Sequence, residues 1–227
     1  MTFLQLAQRL RQEARIAGTG PTSVLDQTGE MQRLCDWIAN AWFDIQGKHQ
    51  DWRFLRSSVS FATVNAQATY TPAQAGASAA TFSRWVRDSF RVYNTATGQS
   101  AETPLFFMPY ESWRNTYQLG AMRTSYSMPN RITVTPNNSL GLGPVPTGAY
   151  TVVGDYYSAP ILLAANADVP ALPATHNHMI IVWKALMAYG ASEENPASYA
   201  WGKSNYDELY DKLLVDQGPT ITFGGGQ

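Results

Sequence analysis

The sequence predicts an α+β fold: a helical bundle formed by the N- and C-terminal helices, an inserted and mainly antiparallel β domain, and an extended C-terminal tail. Three observations predict it. Apolar residues recur at helical spacing at both ends of the chain, through residues 3–10, 31–45 and 179–214. Between them, from Ser57 to Tyr156, the spacing shortens to alternation. The last residues, Thr220 to Gln227, alternate briefly and then run into glycines, so no helix continues there.

The elements follow in order. Thr2 is placed to cap a first helix with Phe3, Leu6, Ala7 and Leu10 on one face, ending near Ile16. Gly18-Thr19-Gly20-Pro21 breaks it. A long helix spans Thr28 to His49. Met31, Leu34, Cys35, Ile38, Trp42 and Ile45 form its stripe, with Glu30, Arg33, Asp36, Asn40 and Asp44 mostly off it. At 1.5 Å per residue it is ~33 Å long, and one helix cannot bury such a stripe alone. From Ser57, Val59, Phe61 and Thr63 alternate with small residues, and Ala68–Thr71 is a second extended piece. Residues 72–80 read as a surface loop. Phe90, Val92 and Asn94 mark a strand, and Leu105–Met108 is a short apolar run closed by Pro109. Tyr110, Trp113 and Tyr117 have helical spacing. Arg131–Thr135 and Leu140–Leu142 flank turn chemistry at Pro136-Asn137-Asn138-Ser139, because Asn tolerates the left-handed region and Pro presets φ. The longest strand, through Tyr150, Val152, Val153 and Tyr156, ends at Pro160.

Helical spacing returns after Pro170 and Pro173. His178–Ala191 carries Ala185, Ala188 and Ala191, which permit close helix approach. Pro196 suits the first turn of a last helix with Tyr199, Tyr206, Leu209, Tyr210, Leu213 and Leu214 on one face, stopped by Gly218-Pro219. Segments 179–187 and 206–214 are expected to cover the stripe of the long helix. The domains are therefore 1–55 with 172–217 (helical bundle), 56–171 (inserted β-rich domain) and 218–227 (tail).

Charged residues make up 15% of the chain, against roughly 25% in an average soluble domain. Seven Trp, twelve Tyr and nine Phe are interface-type residues, so the composition favours an obligate oligomer. The net charge of −1 gives no sign of a strong nucleic-acid binder. Charge is uneven, however: residues 1–15 sum to +2 and residues 192–217 to −4. These are solvated helix faces or ends that meet across a subunit boundary. No run of eighteen apolar residues or basic-then-apolar leader occurs, so no membrane partner is expected. Cys35 is the single cysteine and sits in an apolar stripe, as a small core residue does.

No catalytic set emerges, and no cofactor is implied. There is no G-x-S-x-G elbow or Walker motif. Gly141-Leu142-Gly143 is followed by Pro144 and opens no helix. His176 and His178 form H-x-H, with His49 the only other histidine, which is too few for a spaced metal set. Glu193-Glu194 suits the start of a helix better than an acid/base pair. Arg84, Arg87 and Arg91 interleave with Phe82, Trp85, Phe90 and Tyr93; snorkelling arginines explain this better than nucleic-acid contact. In the tail, Ile221 and Phe223 alternate with threonines, a pattern for adding a strand or filling a partner's pocket, the other reading being a disordered end.

The order of several stretches resembles the head-to-tail adaptor (connector) proteins of tailed bacteriophages. They are GTGPTSV after the first helix, TGEMQRLCDWIANAWFDIQ, DWRFLR, ATYTP, FFMPYESWRNTY, RITVTPNNSLGLGPVPTGAYTVVGDYYSAP and HMIIVWKALMAYGASE. None is an active-site signature; the likeness lies in their order and coverage. The resemblance implies a structural virion protein and not an enzyme. It implies a homo-oligomeric ring, usually a dodecamer, at the portal–tail junction. Its partners are the portal protein, a tail or nozzle protein, and passing double-stranded genomic DNA bound without sequence specificity. It also implies a C-terminal segment that reaches the portal: Gly218, Pro219, Thr220, Ile221, Thr222, Phe223 and Gly224, with Ile221 and Phe223 as anchors. Asp207 and Asp211 are candidates for the channel lining, where strong fixed phosphate contacts would hinder sliding DNA. The alternatives are another tail ring component (terminator or nozzle), or a cell-wall hydrolase or carbohydrate-binding module with a cleft lined by Trp85, Trp113 or Tyr156.

Overall fold

A computed structural model describes residues 1–173 and 175–218. Five α-helices appear among them: α1 (Phe3–Glu13), α2 (Gly29–Gly47), α3 (Tyr110–Tyr117), α4 (Met179–Ser192) and α5 (Pro196–Gln217). The strands are β1 (Arg56–Ala62), β2 (Thr69–Tyr70), β3 (Phe82–Trp85), β4 (Arg91–Asn94), β5 (Thr103–Pro104), β6 (Phe106–Phe107), β7 (Arg131–Val134), β8 (Leu140–Gly143) and β9 (Tyr150–Ser158). The fold is α+β. The chain divides into two compact units, Met1–Leu55 with the described residues from Pro160 onward, and Arg56–Ala159.

In the first unit, Thr2 starts α1 with a capping box: its hydroxyl accepts from the Gln5 N–H, and the Gln5 side chain accepts from the Thr2 N–H. Phe3, Leu6, Ala7 and Leu10 are buried. α2 buries Leu34, Cys35, Ile38, Ala41, Trp42 and Ile45, each large side chain contributing roughly 1.5–3 kcal/mol. Met31, the first residue of the expected stripe, stays half-exposed.

The central helix is α4 rather than α2. Ile180, Ile181, Val182, Trp183, Ala185, Leu186 and Gly190 are buried, and α4 lies against α1, α2 and α5. A helix buried nearly all round loses its amphipathic stripe, which is how MIIVWKALMAYG reads. Of the two segments expected over the α2 stripe, α4 lies against α2, whereas 206–214 meets the chain just beyond the end of α2. There His49 bonds the Tyr210 hydroxyl (2.9 Å), Lys48 lies over the Tyr206 and Tyr210 rings, and Trp52 meets Tyr210 edge-on.

Glycines on both helices make the α4–α5 crossing close. A Cβ on Gly190 would stand 2.5 Å from the Tyr199 backbone nitrogen, and one on Gly202 would stand 2.9 Å from the Trp183 carbonyl oxygen. Residues 160–171, grouped above with the β region, strap this unit instead. The Phe3 N–H donates to the Asp168 carbonyl (2.7 Å), and the Val24 N–H donates to the Asn166 side chain (2.6 Å). Buried Gln46 holds both backbone groups of Ile161.

In the second unit, β9 is the central strand of one sheet. It pairs antiparallel with β1 from Arg56↔Tyr157 to Ala62↔Thr151, and with β3 and β4 on its other edge. β5 continues from β4. The second sheet runs β2-β8-β7-β6, with β6 parallel to β7. The sheets share one core, in which Val59, Phe61, Val92 and Val152 meet Tyr70, Ile132, Leu140 and Leu142. β3 was not expected from the sequence. A register shift between Phe82 and Arg84 interrupts its alternation, so the two-residue period never shows.

Candidate assembly surface

The C-terminal end of α5 is where the sequence-derived candidates gather. α5 starts cleanly: Pro196 is in its first turn, and the Asn195 side chain accepts from the Ser198 N–H (3.1 Å). It runs for 22 residues but buries only Gly202, Tyr206 and Leu213, so most of its circumference faces outward. Its last turn is tied down. The Asp216 carboxylate lies 2.6 Å from His176 Nε2 and accepts from the Gln217 amide (2.8 Å), while the Asp216 carbonyl accepts from Arg53 (3.1 Å). The Gln217 and His176 bonds hold the Asp216 carboxyl below the usual carboxylate range.

Gly218 ends α5 in extended backbone, its N–H donating to the Leu214 carbonyl (2.9 Å). It is the one tail candidate within the described residues. Pro219, Thr220, Ile221, Thr222, Phe223 and Gly224 lie outside them.

Asp207 and Asp211 are both exposed and one turn apart on the same face of α5. Their electrostatic surroundings differ. Asp207 pairs with Lys203 (2.6 Å), whereas Asp211 has no ion pair among the described residues. Glu208 pairs with Lys212 (2.6 Å) and Glu193 with Arg33 of α2 (2.9 Å). Lys203 and Lys212 are already counted in the net charge of −4 over residues 192–217, so of these pairs only Glu193–Arg33 offsets it from outside the segment.

The other candidate clusters separate. His176 is committed to Asp216, while His178 Nδ1 lies 2.7 Å from the N-terminal amine of Met1. Among the described residues no three His, Cys, Asp or Glu side chains converge as metal ligands. No helix among them is long and apolar enough to cross a membrane. Arg84 and Arg87 stack over the rings of Tyr157 and Phe107 at 4.7 Å, and Arg91 pairs with Glu102 (3.3 Å). Trp85, Trp113 and Tyr156, offered above as walls of a sugar cleft, are buried instead, with the Trp85 indole donating to the Asn138 carbonyl (2.8 Å). Rings buried in this way leave no face for a saccharide to stack on.

Two side chains on α5 escaped notice in the sequence. Trp201 is 57% exposed and Val215 is 89% exposed. The second unit has its own exposed apolar group in Leu119, Met122 and Tyr126, beside the short helical turn Gly120–Thr124. Leu119, Met122 and Tyr126 fall within eight residues of one another, whereas Trp201 and Val215 stand fourteen residues apart. Their signal in the sequence is faint, because a lone Trp between polar residues resembles any amphipathic position.

A search among curated proteins finds no match. The family model described as SU10 adaptor protein matches residues 1–222, nearly the whole chain and both units. On that match, together with the two-unit α+β architecture, the chain belongs to the SU10 adaptor protein family and is a structural head-to-tail adaptor of a bacteriophage.

Proposed function

We propose that the protein is one subunit of a ring, of dodecameric symmetry, that docks beneath the portal, extends the DNA channel and gives the tail its attachment platform. The observation that carries this reading is the family match through residue 222, which includes the tail candidates Ile221 and Thr222. The geometry of α5 supports it. Asp216, locked to His176 and Arg53, gives residues 218–224 a fixed point of departure from the helical unit. Portal docking then uses Gly218 to Gly224, with Ile221 and Phe223 filling apolar pockets of the portal. Exposed Trp201 and Val215 are suited to ring or platform contacts.

The passing double-stranded DNA is not read by sequence. Asp207 and Asp211 line the channel, where a carboxylate repels phosphate and prevents fixed contacts. The chain acts by assembly at the portal–tail junction of the virion, with no catalytic step.

The test is a chain ending at residue 217, mixed with purified portal. The expected result is a folded protein that no longer joins tails to filled heads. Normal joining would remove the tail from the mechanism. For the channel, D207N/D211N virions should assemble normally but eject DNA more slowly; unchanged ejection would remove those two residues from the lining.

A further inference from the structure

One stretch of the second unit lies open to water along its whole length. Residues 119–127 are all exposed, around the short turn Gly120–Thr124. Three of them are large and apolar: Leu119 is 66% exposed, Met122 46% and Tyr126 44%. Such a patch is what contact surfaces present. Arg123 stands within it. Its Nε donates to the Gln118 carbonyl (2.6 Å), and its guanidinium has no ion pair among the described residues.

The helical unit has an apolar groove of matching length. It measures about 260 Å³ and runs between α2 and α5 over the outer side of α4. Trp37 and Tyr199 are its walls, with Ala41, Met187, Ala188 and Ala191 between them. From Trp37 to Asp44 it extends seven residues along α2, about 10.5 Å at 1.5 Å per residue. The turn Gly120–Thr124, at ~2.0 Å per residue, is about 10 Å long. A groove below the ~300 Å³ at which small-molecule pockets begin is suited to inserted side chains. Charge agrees with length. Asp44, at one end of the groove, is exposed and 3.7 Å from Lys184, beyond hydrogen-bond distance. Its carboxylate accepts no side-chain hydrogen bond among the described residues, so it is open to a guanidinium fork.

We propose that the turn at residues 119–126 of one copy seats in the α2–α5 groove of the next, with Leu119 and Met122 between Trp37 and Tyr199, and Arg123 on Asp44. Turn and groove are different surfaces of the same chain, so the contact is head-to-tail. Contacts of that kind close into rings when the rotation allows. The inference rests on the reading of the chain as a ring subunit, and it names the surfaces by which neighbours meet.

Cross-linking in the full chain tests it. M122C with A188C gives each copy one thiol on the turn and one in the groove, both at exposed positions, while Cys35 is buried. Oxidised after mixing with purified portal, the double variant should give a ladder of covalent oligomers. The two single variants mixed together should give the pair of unlike chains and neither pair of like chains. L119S, at a position open to water, should cut the ladder about tenfold or more, because it removes the side chain to be buried. D44R should cut it about tenfold, and R123D added to D44R should restore it, which a merely misfolded chain would not allow. Four results would each overturn the contact: no ladder, a cross-link within one chain, the thiol at position 122 joined to the portal, or a ladder that L119S and the charge exchange leave unchanged. Sedimentation of the same mixture before oxidation reports on the ring separately. Portal-bound oligomers without a ladder would sink this contact and leave the ring reading standing, whereas their absence would remove both.

Discussion

Gly190→Ala tests what sets the α4–α5 crossing. The added methyl would stand 2.5 Å from the Tyr199 nitrogen and 2.9 Å from the Asn195 carbonyl oxygen. Both are backbone atoms, so no rotamer change relieves the clash. Ordinary van der Waals separation is ~3.5–4.0 Å, which requires the first turn of α5 to retreat by about 1 Å. That turn is held by the Asn195 N–H donating to the Gly190 carbonyl (2.8 Å) and by the Tyr199 N–H donating to the Asn195 carbonyl (3.1 Å). Overpacking of this kind costs ~1–3 kcal/mol, and a weakened hydrogen bond adds about 1 kcal/mol. Against this, Ala is favoured over Gly inside a helix by ~0.8–1.0 kcal/mol. The balance is a net loss of about 1–3 kcal/mol. Gly47→Ala is the control, because nothing lies within 4 Å of its Cβ, and it should gain up to ~1 kcal/mol. Urea unfolding followed by ellipticity at 222 nm should show a lowered midpoint for G190A and an unchanged or raised one for G47A, with equal slopes. A G190A midpoint at or above that of the unsubstituted protein would show that α5 yields freely, and that the glycine pair does not set the crossing.

Three other outcomes follow from buried polar groups. The Cys35 thiol is pushed up to about 11 by burial and, secondarily, by Asp36. Against a free thiol it should react with a disulfide reagent about 100-fold more slowly at pH 8, and equally fast once the helical unit is unfolded. Gln46→Leu leaves the Ile161 N–H and carbonyl without their partners; it should cost about 1–3 kcal/mol in urea, and no loss would show that the 160–171 strap does not depend on this contact. The His178 pKa is lowered, first by burial and then by the N-terminal ammonium. A depressed group contributes stability that is present above its ordinary value of 6.5 and lost as pH falls through the folded value; H178Q should flatten that acid-side decline, measured as the urea midpoint against pH.

The helices were legible because their apolar spacing, capping residues and breakers agree. Thr2 and Pro196 mark two starts by local chemistry, whereas α1 stops at Glu13, ahead of the expected end near Ile16, with Arg15 in the left-handed region before the Gly18–Pro21 break. What the sequence concealed was rank. The amphipathic stripe on α2 draws the eye, whereas α4 is apolar on nearly every side and shows no stripe, since three helices surround it. The close crossing is hidden too: Gly190 comes against Asn195 and Tyr199, and Gly202 against Trp183 and Met187, only when α5 folds back on α4. In the β unit, β3 carries a bulge, and the two-residue strands are too short for any period to appear.

The assembly surface was harder to see, and composition was a poor guide to it. The abundance of aromatic residues points to interfaces, yet Trp42, Trp52, Trp85, Trp113 and Trp183 are all buried in the two units. Charge is a better guide: Asp207 and Glu208 answer lysines one turn away, but those lysines are already in the net charge of −4 over residues 192–217, and Asp211 has no ion pair among the described residues. What remains to argue for partners is position. Trp201 and Val215 are fourteen residues apart, close to an integral number of helical turns, so they share one exposed side of α5 with Glu208 midway between them. At 1.5 Å per residue the tryptophan and the valine stand about 21 Å apart, so they form no continuous apolar patch, and the reading of α5 as a ring or platform contact rests on the family match rather than on exposure.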